Sequence, residues 1–226
     1  MRLVVVSAGL SVPSSTRLLG DRLAAGAAGR TAADVTVIEL RDLAVEIAHH
    51  FTNGFPGRAL GAAFDAVAAA DGTIVVTPVF SASYSGLFKS FFDALSVHEE
   101  GTLAGKPVLI AATGGTARHS LVLDHALRPL FVHLKAVVVP TGVYAASEDW
   151  GAEGLDGRIG RAAGELAALM TGSSTVGRTA RKSPAVLPFE EQLAALRPRT
   201  TEAPSASGPG TAPSATVPQA HRGSVR

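Results

Sequence analysis

Short apolar runs alternate with longer amphipathic stretches along the first three quarters of the chain. Five runs rich in β-branched residues predict strands, at Leu3 to Ser7, Val35 to Leu40, Thr73 to Thr77, Pro107 to Ala112 and Ala136 to Pro140. Between them, apolar residues recur at helical spacing, as they do from Leu87 to Leu95. This alternation is typical of βαβ units, so the pattern predicts an α/β fold with a doubly wound, five-stranded parallel sheet.

The pattern changes after a last predicted helix, Gly154 to Met170. From Thr200 to Arg226, 20 of 27 residues are Ala, Gly, Pro, Ser or Thr, a composition that buries too little to fold. The intervening segment contains an amphipathic stretch, Leu187 to Leu196, that predicts a short helix. We therefore predict one domain over residues 1–172, a partly ordered extension over 173–199 and a disordered tail over 200–226.

Charge and composition narrow the classes of partner. The 20 basic and 19 acidic residues are interspersed, which argues against a nucleic-acid surface. The absence of cysteine excludes disulfides, thiolate metal sites and cysteine nucleophiles. No apolar run approaches the about 18 residues of a membrane span, and the amino terminus begins a strand without the pattern of a signal peptide. We expect a cytoplasmic protein that binds neither membrane nor nucleic acid.

The stretch SAGLSVPSSTR, residues 7–17, follows the first predicted strand and leads into a helix. It matches neither the Gly-x-Gly-x-x-Gly pattern nor the P-loop. Its hydroxyls, the N–H groups of a helix start and one cation suit a terminal phosphate monoester. The residues concerned are Ser11, Ser14, Ser15, Thr16 and Arg17. The alternative is that Ser14 only caps the helix and Arg17 is solvated.

Two further loops follow strands of the same predicted sheet. TPVFSASYSGLFKSFFDAL, residues 77–95, follows the third strand, and ATGGTARHS, residues 112–120, follows the fourth. The Gly pair of the second loop would let the backbone approach a flat ligand closely. Because the carboxyl ends of parallel strands meet at one sheet edge, the three loops together predict a ligand site there.

With these three loops and the continuation to ATGGTARHSLVLDHALRPLF, the chain resembles the NAD(P)H-dependent FMN reductases of the flavodoxin-like superfamily. Within that superfamily, the chain looks close to the reductases that supply reduced flavin to two-component monooxygenases, and the part of the first loop that carries the likeness is PSSTRLL, residues 13–19. The likeness extends from Arg2 to about Leu169. It implies a flavodoxin-like sheet of order 2-1-3-4-5, FMN and NADPH or NADH as cofactors, and a flavin-dependent monooxygenase as a possible partner.

The resemblance also implies the residues that bind FMN. Ser11, Ser14, Ser15, Thr16 and Arg17 would hold its phosphate. One side of the isoalloxazine would be lined by Pro78, Val79, Phe80, Ser81, Ala82 and Ser83, and the other by Thr113, Gly114 and Gly115. His119, after the Gly pair, would contact the cofactor or nicotinamide, or else only cap a helix or face solvent.

The reaction would be hydride transfer from nicotinamide C4 to flavin N5, which needs orientation and electrostatics from the protein more than an acid or base. Consistent with this, the sequence has no recognisable catalytic constellation and no metal-ligand spacing among its histidines. We therefore expect no catalytic side chain and no metal site. N–H groups of Gly114 and Gly115 would stabilise the negative charge that develops at N1 and O2.

Two other functions remain open on the same site. The first is a quinone, azo-dye or chromate reductase that keeps its FMN through turnover. The second is a flavodoxin-type electron carrier, which the formal charge of +1 disfavours because such carriers are usually strongly acidic.

The apolar helices predict an assembly. Pro129 lies inside the predicted helix His119 to Leu134 and should kink or bulge it near His125. Together with the stripe Leu87, Phe88, Phe91 and Phe92, this helix offers more apolar surface than one sheet face needs, which predicts a homodimer or homotetramer. The resemblance adds flavin sites at the subunit boundary. The alternative is that every phenylalanine enters the core of one subunit.

Overall fold

The structure, a computed structural model, describes residues 1–173 and 190–191. Its strands are β1 (Arg2–Ser7), β2 (Asp34–Glu39), β3 (Gly72–Phe80), β4 (Ser83–Tyr84), β5 (Pro107–Gly114), β6 (Val137–Val138) and β7 (Val143–Ala146). Its α-helices are α1 (Ser15–Thr31), α2 (Ala44–Asn53), α3 (Arg58–Ala69), α4 (Gly86–His98), α5 (Arg128–His133) and α6 (Glu153–Ser173).

The parallel part of the sheet runs β2-β1-β3-β5, and β6 and β7 both pair with the outer side of β5. β6 pairs near the start of β5, at Pro107↔Val137, and β7 near its end, at Ala111↔Val143. β4 adds an antiparallel pair to the end of β3. The α/β class with a parallel sheet is therefore confirmed, although the sheet has seven strands where the sequence predicted five.

The predicted fifth strand, Ala136 to Pro140, is wrong in extent because the chain leaves the sheet after Val138. Pro140 has no N–H to give to a ladder. Its carbonyl instead accepts from Arg128 Nη2 at 3.0 Å, and Glu165 accepts from Thr141 N at 2.7 Å. These side-chain bonds satisfy the backbone of the break, so pairing resumes at β7.

Helices cover both faces of the sheet. α1 and α6 pack on one face, where Leu19, Leu23 and Leu166 are fully buried. The other face carries α2 to α5 and includes Phe64 and Phe131 in its core. The two apolar layers enclose the central strands, which explains why β1, β3 and β5 read as nearly continuous apolar runs.

The phenylalanines of α4 belong to the core of a single chain. Phe88, Phe91 and Phe92 are all 0% exposed, and Phe92 lies 4.9 Å from Phe131 between ring centroids. The expectation that this helix offers surplus apolar surface is therefore wrong, and the alternative, that the phenylalanines enter the core of one subunit, is the one observed. Phe131 on α5 packs against Phe88 and Phe92, and Phe64 on α3 packs against Phe91. These three rings are therefore not available for contact with a second subunit.

The predicted bulge near His125 is confirmed. Residues Leu123–Leu127 form a π-helical turn, in which the N–H of Arg128 donates to the carbonyl of Leu123. α5 begins directly after it, with Pro129 in its first turn. The wider turn accommodates the proline ring, which would crowd the carbonyl four residues earlier in a regular α-helix.

The last predicted helix, Gly154 to Met170, is confirmed as α6. The predicted disordered tail, residues 200–226, lies outside the described residues. Of the predicted extension, 173–199, the structure describes only Ser173, which ends α6, and Glu190 and Glu191. Glu190 and Glu191 belong to a separate unit and are exposed. Among the helices of residues 1–173, none has the length and apolar character to cross a membrane.

We expect Phe91→Ala to lower the free energy of unfolding by about 3 to 5 kcal/mol, because it leaves a cavity in the core. Phe55→Ala is the matched control, since that ring is 80% exposed, and should change it by less than about 0.5 kcal/mol. Urea unfolding followed by circular dichroism measures both. Equal small effects would mean that Phe91 is not packed as the structure has it.

Candidate functional site

A cleft of about 580 Å³ opens at the carboxyl ends of the parallel strands. The loops after β1, β3, β5 and β7 all contribute to it. Its lining consists of Leu10, Ser11, Ser14, Ser15, Thr16, Pro78, Val79, Phe80, Thr113, Gly114, Gly115, Ser147 and Trp150. The structure thus brings together residues of all three sequence-predicted loops.

The first loop presents the start of α1 to the cleft. Ser14 caps the helix, because its Oγ accepts from the N–H of Arg17 at 3.2 Å. Ser11 Oγ donates to the carbonyl of Pro13 at 2.9 Å, which closes the loop on itself. A Cβ at Gly9 would lie 2.1 Å from Ser14 Oγ, so the chain needs glycine there. The first helical turn contains no acidic residue and therefore keeps its positive end available to an anion.

Arg17 is outside the lining of the cleft. Its guanidinium forms ion pairs with Asp21 at 2.8 Å and with Glu39, at the end of β2, at 2.5 Å. The hydrogen bond to Asp21 is the main cause of a raised pKa for Arg17, and Glu39 adds to it. The predicted phosphate cation is therefore held by two carboxylates in this structure.

A second arginine, which the sequence analysis did not single out, braces the same loop. Arg41 Nη2 lies 2.9 Å from Glu39 Oε2, and Arg41 Nη1 donates to the carbonyl of Ser11 at 2.8 Å. Glu39 thus links two arginines, one on α1 and one after β2. This pairing could not be read from the sequence because Arg41 is 30 residues from Ser11.

A buried hydroxyl pair joins the first loop to the end of β5. Thr16 Oγ1 and Thr113 Oγ1 are 2.7 Å apart, and both residues are buried. Two residues further along the chain, an added Cβ at Gly115 would meet no protein atom within 4 Å. The hydroxyl pair therefore fixes the position of Thr113 in the cleft, whereas the space beside Gly115 holds no protein atom.

The loop after β3 turns back as a hairpin. Ser81 and Ala82 form its tip with φ of 49° and 62°, values that residues with a side chain seldom adopt. Below the tip, Thr77 Oγ1 accepts from the N–H of Ser85 at 3.0 Å. Pro78, Val79 and Phe80 line the cleft, whereas Ser81, Ala82 and Ser83 lie on the hairpin outside its lining.

Three lining residues were missed by the sequence analysis: Leu10, Ser147 and Trp150. Ser147 and Trp150 follow β7, which the sequence placed outside the sheet. Asp149 shapes this turn by accepting from the N–H of Ala146 at 2.8 Å and from Arg158 at 2.7 Å. Burial opposes ionisation of Asp149, yet these two hydrogen bonds leave its pKa below the ordinary value.

His119 lies in a short 3₁₀ turn, Ala117–His119, where it is exposed and outside the cleft lining. Within the part of the chain that the structure describes, no three side chains of His, Asp or Glu are grouped as a metal site.

A model of the family described as NADPH-dependent FMN reductase matches residues 1–151. The chain belongs to this family. FMN reductase (NADPH) of Pseudomonas aeruginosa is 40% identical over 178 residues, which cover 76% of this chain and 94% of that protein. NADH-dependent FMN reductase SfnF of Pseudomonas fluorescens is 39% identical over 76% of this chain and 93% of its own length.

A solved oxidoreductase of Corynebacterium diphtheriae superposes with a TM-score of 0.73 at 48% identity and covers 76% of this chain and 98% of its own. The enzyme is thus an oxidoreductase that reduces FMN with NAD(P)H. The flavodoxin-like fold is shown as well, since an archaeal flavodoxin superposes with a TM-score of 0.55 at 15% identity.

Proposed function

We propose that FMN binds in the cleft at the carboxyl ends of the strands, with its phosphate at the start of α1. The observation that carries this is the donor set. Ser14, Ser15 and Thr16 surround the first turn of a helix, and no carboxylate occurs among the described residues that line the cleft. Hydroxyls and free N–H groups at a positive helix end suit a phosphate dianion, and nearby carboxylates would repel it.

The isoalloxazine would lie between Pro78, Val79 and Phe80 on one side and Thr113 to Gly115 on the other. The cleft, about 580 Å³, falls in the range of about 300 to 1,000 Å³ that is usual for cofactor sites. The empty space beside Gly115 would let a flat ring approach the backbone. When bound, FMN supplies the redox chemistry by accepting a hydride from NADPH or NADH.

The chain's own part in the reaction would be orientation and charge stabilisation. The N–H groups of Gly114 and Gly115 are suited to donate to the pyrimidine edge, where negative charge develops on reduction. Ser81, Ala82, Ser83 and His119 lie on the same loops and would act only at the mouth of the site.

Arg17 would contribute to phosphate binding by exchanging Glu39 for the phosphate. Arg17 follows Ser14 by three residues, about one helical turn, so its guanidinium would turn from Glu39 to an anion held at Ser14 and Ser15. Glu39 would keep Arg41 as its partner after this exchange.

We expect FMN to bind at least about 100-fold more tightly than riboflavin, because several charge-assisted hydrogen bonds of about 1.5 to 3 kcal/mol each depend on the phosphate. Trp150, the chain's single tryptophan, lines the cleft and should be quenched on binding, which gives the titration signal. Equal affinities for the two flavins would refute the phosphate site.

Arg17→Ala should reduce this preference for FMN, whereas Arg30→Ala should preserve it. Arg30 lies on the same helix, 13 residues or about 20 Å from Arg17, and donates to the carbonyl of Gly26. An unchanged ratio of FMN to riboflavin affinity in Arg17→Ala would leave Arg17 as a purely structural ion-pair residue.

We further propose that reduced FMN leaves the cleft to supply a flavin-dependent monooxygenase, in the cytoplasm. Leu10, Ser15, Phe80, Gly115 and Ser147 all line the cleft and are exposed, so one side of the site is open to solvent. An open site favours exchange of the flavin over permanent retention.

Turnover should therefore saturate with free FMN, and reduced FMN should appear in an anaerobic, protein-free ultrafiltrate. Steady-state kinetics with excess NADPH or NADH measure the first, and the absorbance of the ultrafiltrate the second. If FMN stays bound at one per chain while a quinone is reduced, the enzyme is instead the FMN-retaining reductase.

We also propose that the protein is a homodimer or homotetramer whose flavin sites lie at the boundary. Leu10 and Phe80 line the cleft, and Val12 lies on the same loop as Leu10; these three apolar residues, which we call the apolar rim, are 52, 47 and 79% exposed in that order. Such a rim suits contact with a second copy.

Val12→Asp should dissociate this assembly at micromolar concentration and weaken FMN binding with it. Val97→Asp is the matched control, because Val97 is 75% exposed at the far end of α4 and should leave the mass unchanged. Light scattering measures both. If Val12→Asp keeps the wild-type mass, the interface does not include Val12. If the wild-type protein is a monomer that reduces FMN at full rate, the proposed assembly is excluded.

A further inference from the structure

Tyr144 lies on β7, next to the end of β5, and is only 4% exposed. Its ring packs in the core on the side of α4. Its hydroxyl donates to the carbonyl of Thr116 at 2.7 Å. This bond joins the last strand of the sheet to the turn that carries the Gly pair.

The same hydroxyl fills the space beside Gly114. A Cβ added at Gly114 would lie 2.1 Å from Tyr144 Oη and 3.2 Å from Cζ. No contact this short is possible without displacing the ring or the turn. Gly114 is therefore required by Tyr144, whereas at Gly115 the protein leaves the equivalent space open.

Other bonds restrain the turn around this contact. The N–H of Ala117 donates to Glu148 Oε1 at 3.3 Å, and the hydroxyl of Thr113 pairs with that of Thr16 at 2.7 Å. Tyr144 acts between these two points. Burial is the main cause of a raised pKa for Tyr144, and the charges of Glu148 and Asp149 add to it, so the hydroxyl stays a neutral donor at physiological pH.

We propose that Tyr144 is a positioning residue, which sets the backbone of Gly114 and Gly115 where the flavin ring binds. The inference rests on the FMN site proposed above. Tyr144 is outside the cleft lining and acts through the carbonyl of Thr116 and through its contact with Gly114. Loss of the Tyr144 hydroxyl should therefore weaken binding of the isoalloxazine ring and leave binding of the phosphate unchanged.

Tyr144→Phe removes the hydroxyl and keeps the ring. The loss of one buried hydrogen bond should lower the affinity for FMN by about three- to tenfold. The affinity for riboflavin should fall by the same factor, because the substitution does not change the loop that binds the phosphate. Tyr84→Phe deletes the only other tyrosine hydroxyl of the chain and should keep FMN affinity within about twofold of wild type.

A double-mutant cycle tests the contact itself. Gly114→Ala alone should weaken FMN by at least about tenfold, since its Cβ collides with Tyr144 Oη. In the Tyr144→Phe background, the fold-loss of FMN affinity caused by Gly114→Ala should be at least threefold smaller than in the wild-type background. Gly115→Ala is the matched control, whose effect should be the same in both backgrounds.

Affinities are taken from the quenching of Trp150 and corrected for the folded fraction, which thermal unfolding of the flavin-free proteins gives. The inference would be overturned if Tyr144→Phe bound FMN with wild-type affinity. It would also be overturned if the fold-loss in the double variant equalled the product of the two single fold-losses. Selective weakening of FMN relative to riboflavin would overturn it too. A wild-type protein that binds no flavin at Trp150 would instead refute the proposed FMN site.

Discussion

The hydrogen-bonded register of the central strands determines where the cleft forms. β3 pairs with β5 so that Pro78 lies opposite Thr113, and β5 pairs with β7 so that Gly114 lies opposite Ala146. Neighbouring strands are about 4.8 Å apart, so these pairs deliver the loops side by side. A slip of one residue would turn each strand's side chains to the opposite face. Both faces are apolar, so the slip is opposed by the fit of fully buried side chains such as Val75 and Ile110 against their own layer of helices.

Charge near the first loop is already balanced before any ligand arrives. Glu39 is paired with both Arg17 and Arg41, and Arg17 also with Asp21. Until Arg17 leaves Glu39, an anion at the start of α1 would therefore meet mainly hydroxyls and backbone N–H groups. Such neutral donors select by geometry, since each must point at an oxygen, whereas a free guanidinium would attract any anion over several ångströms.

The sequence sufficed for the α/β class, the first four parallel strands, the π-bulge near Pro129 and the family, because local periodicity and three loop motifs carry those features. It misplaced the last parallel strand. Ala136 to Pro140 has a continuous apolar pattern, which predicts one strand. In the structure Arg128 and Glu165 bind the backbone where the chain leaves the sheet, and these contacts cannot be read from the local pattern.

That error hid Ser147 and Trp150, which the sequence could not put at the sheet edge. The ion pairs of Arg17 were beyond the sequence for the same reason, and the sequence left the burial of the α4 phenylalanines only as an alternative. Each depends on contacts between residues far apart in the chain, such as Glu39 with Arg17 and Phe131 with Phe92.

The interruption between β6 and β7 has a consequence for how the protein behaves in a crowded solution. An outer strand with a long row of unpaired N–H and C=O groups is a template on which another chain can add by edge-to-edge pairing. Here that border is split into pieces of two and four residues, separated by a proline and a bend. Neither piece is long enough to seat a foreign strand, so the break protects this side of the sheet from β-aggregation.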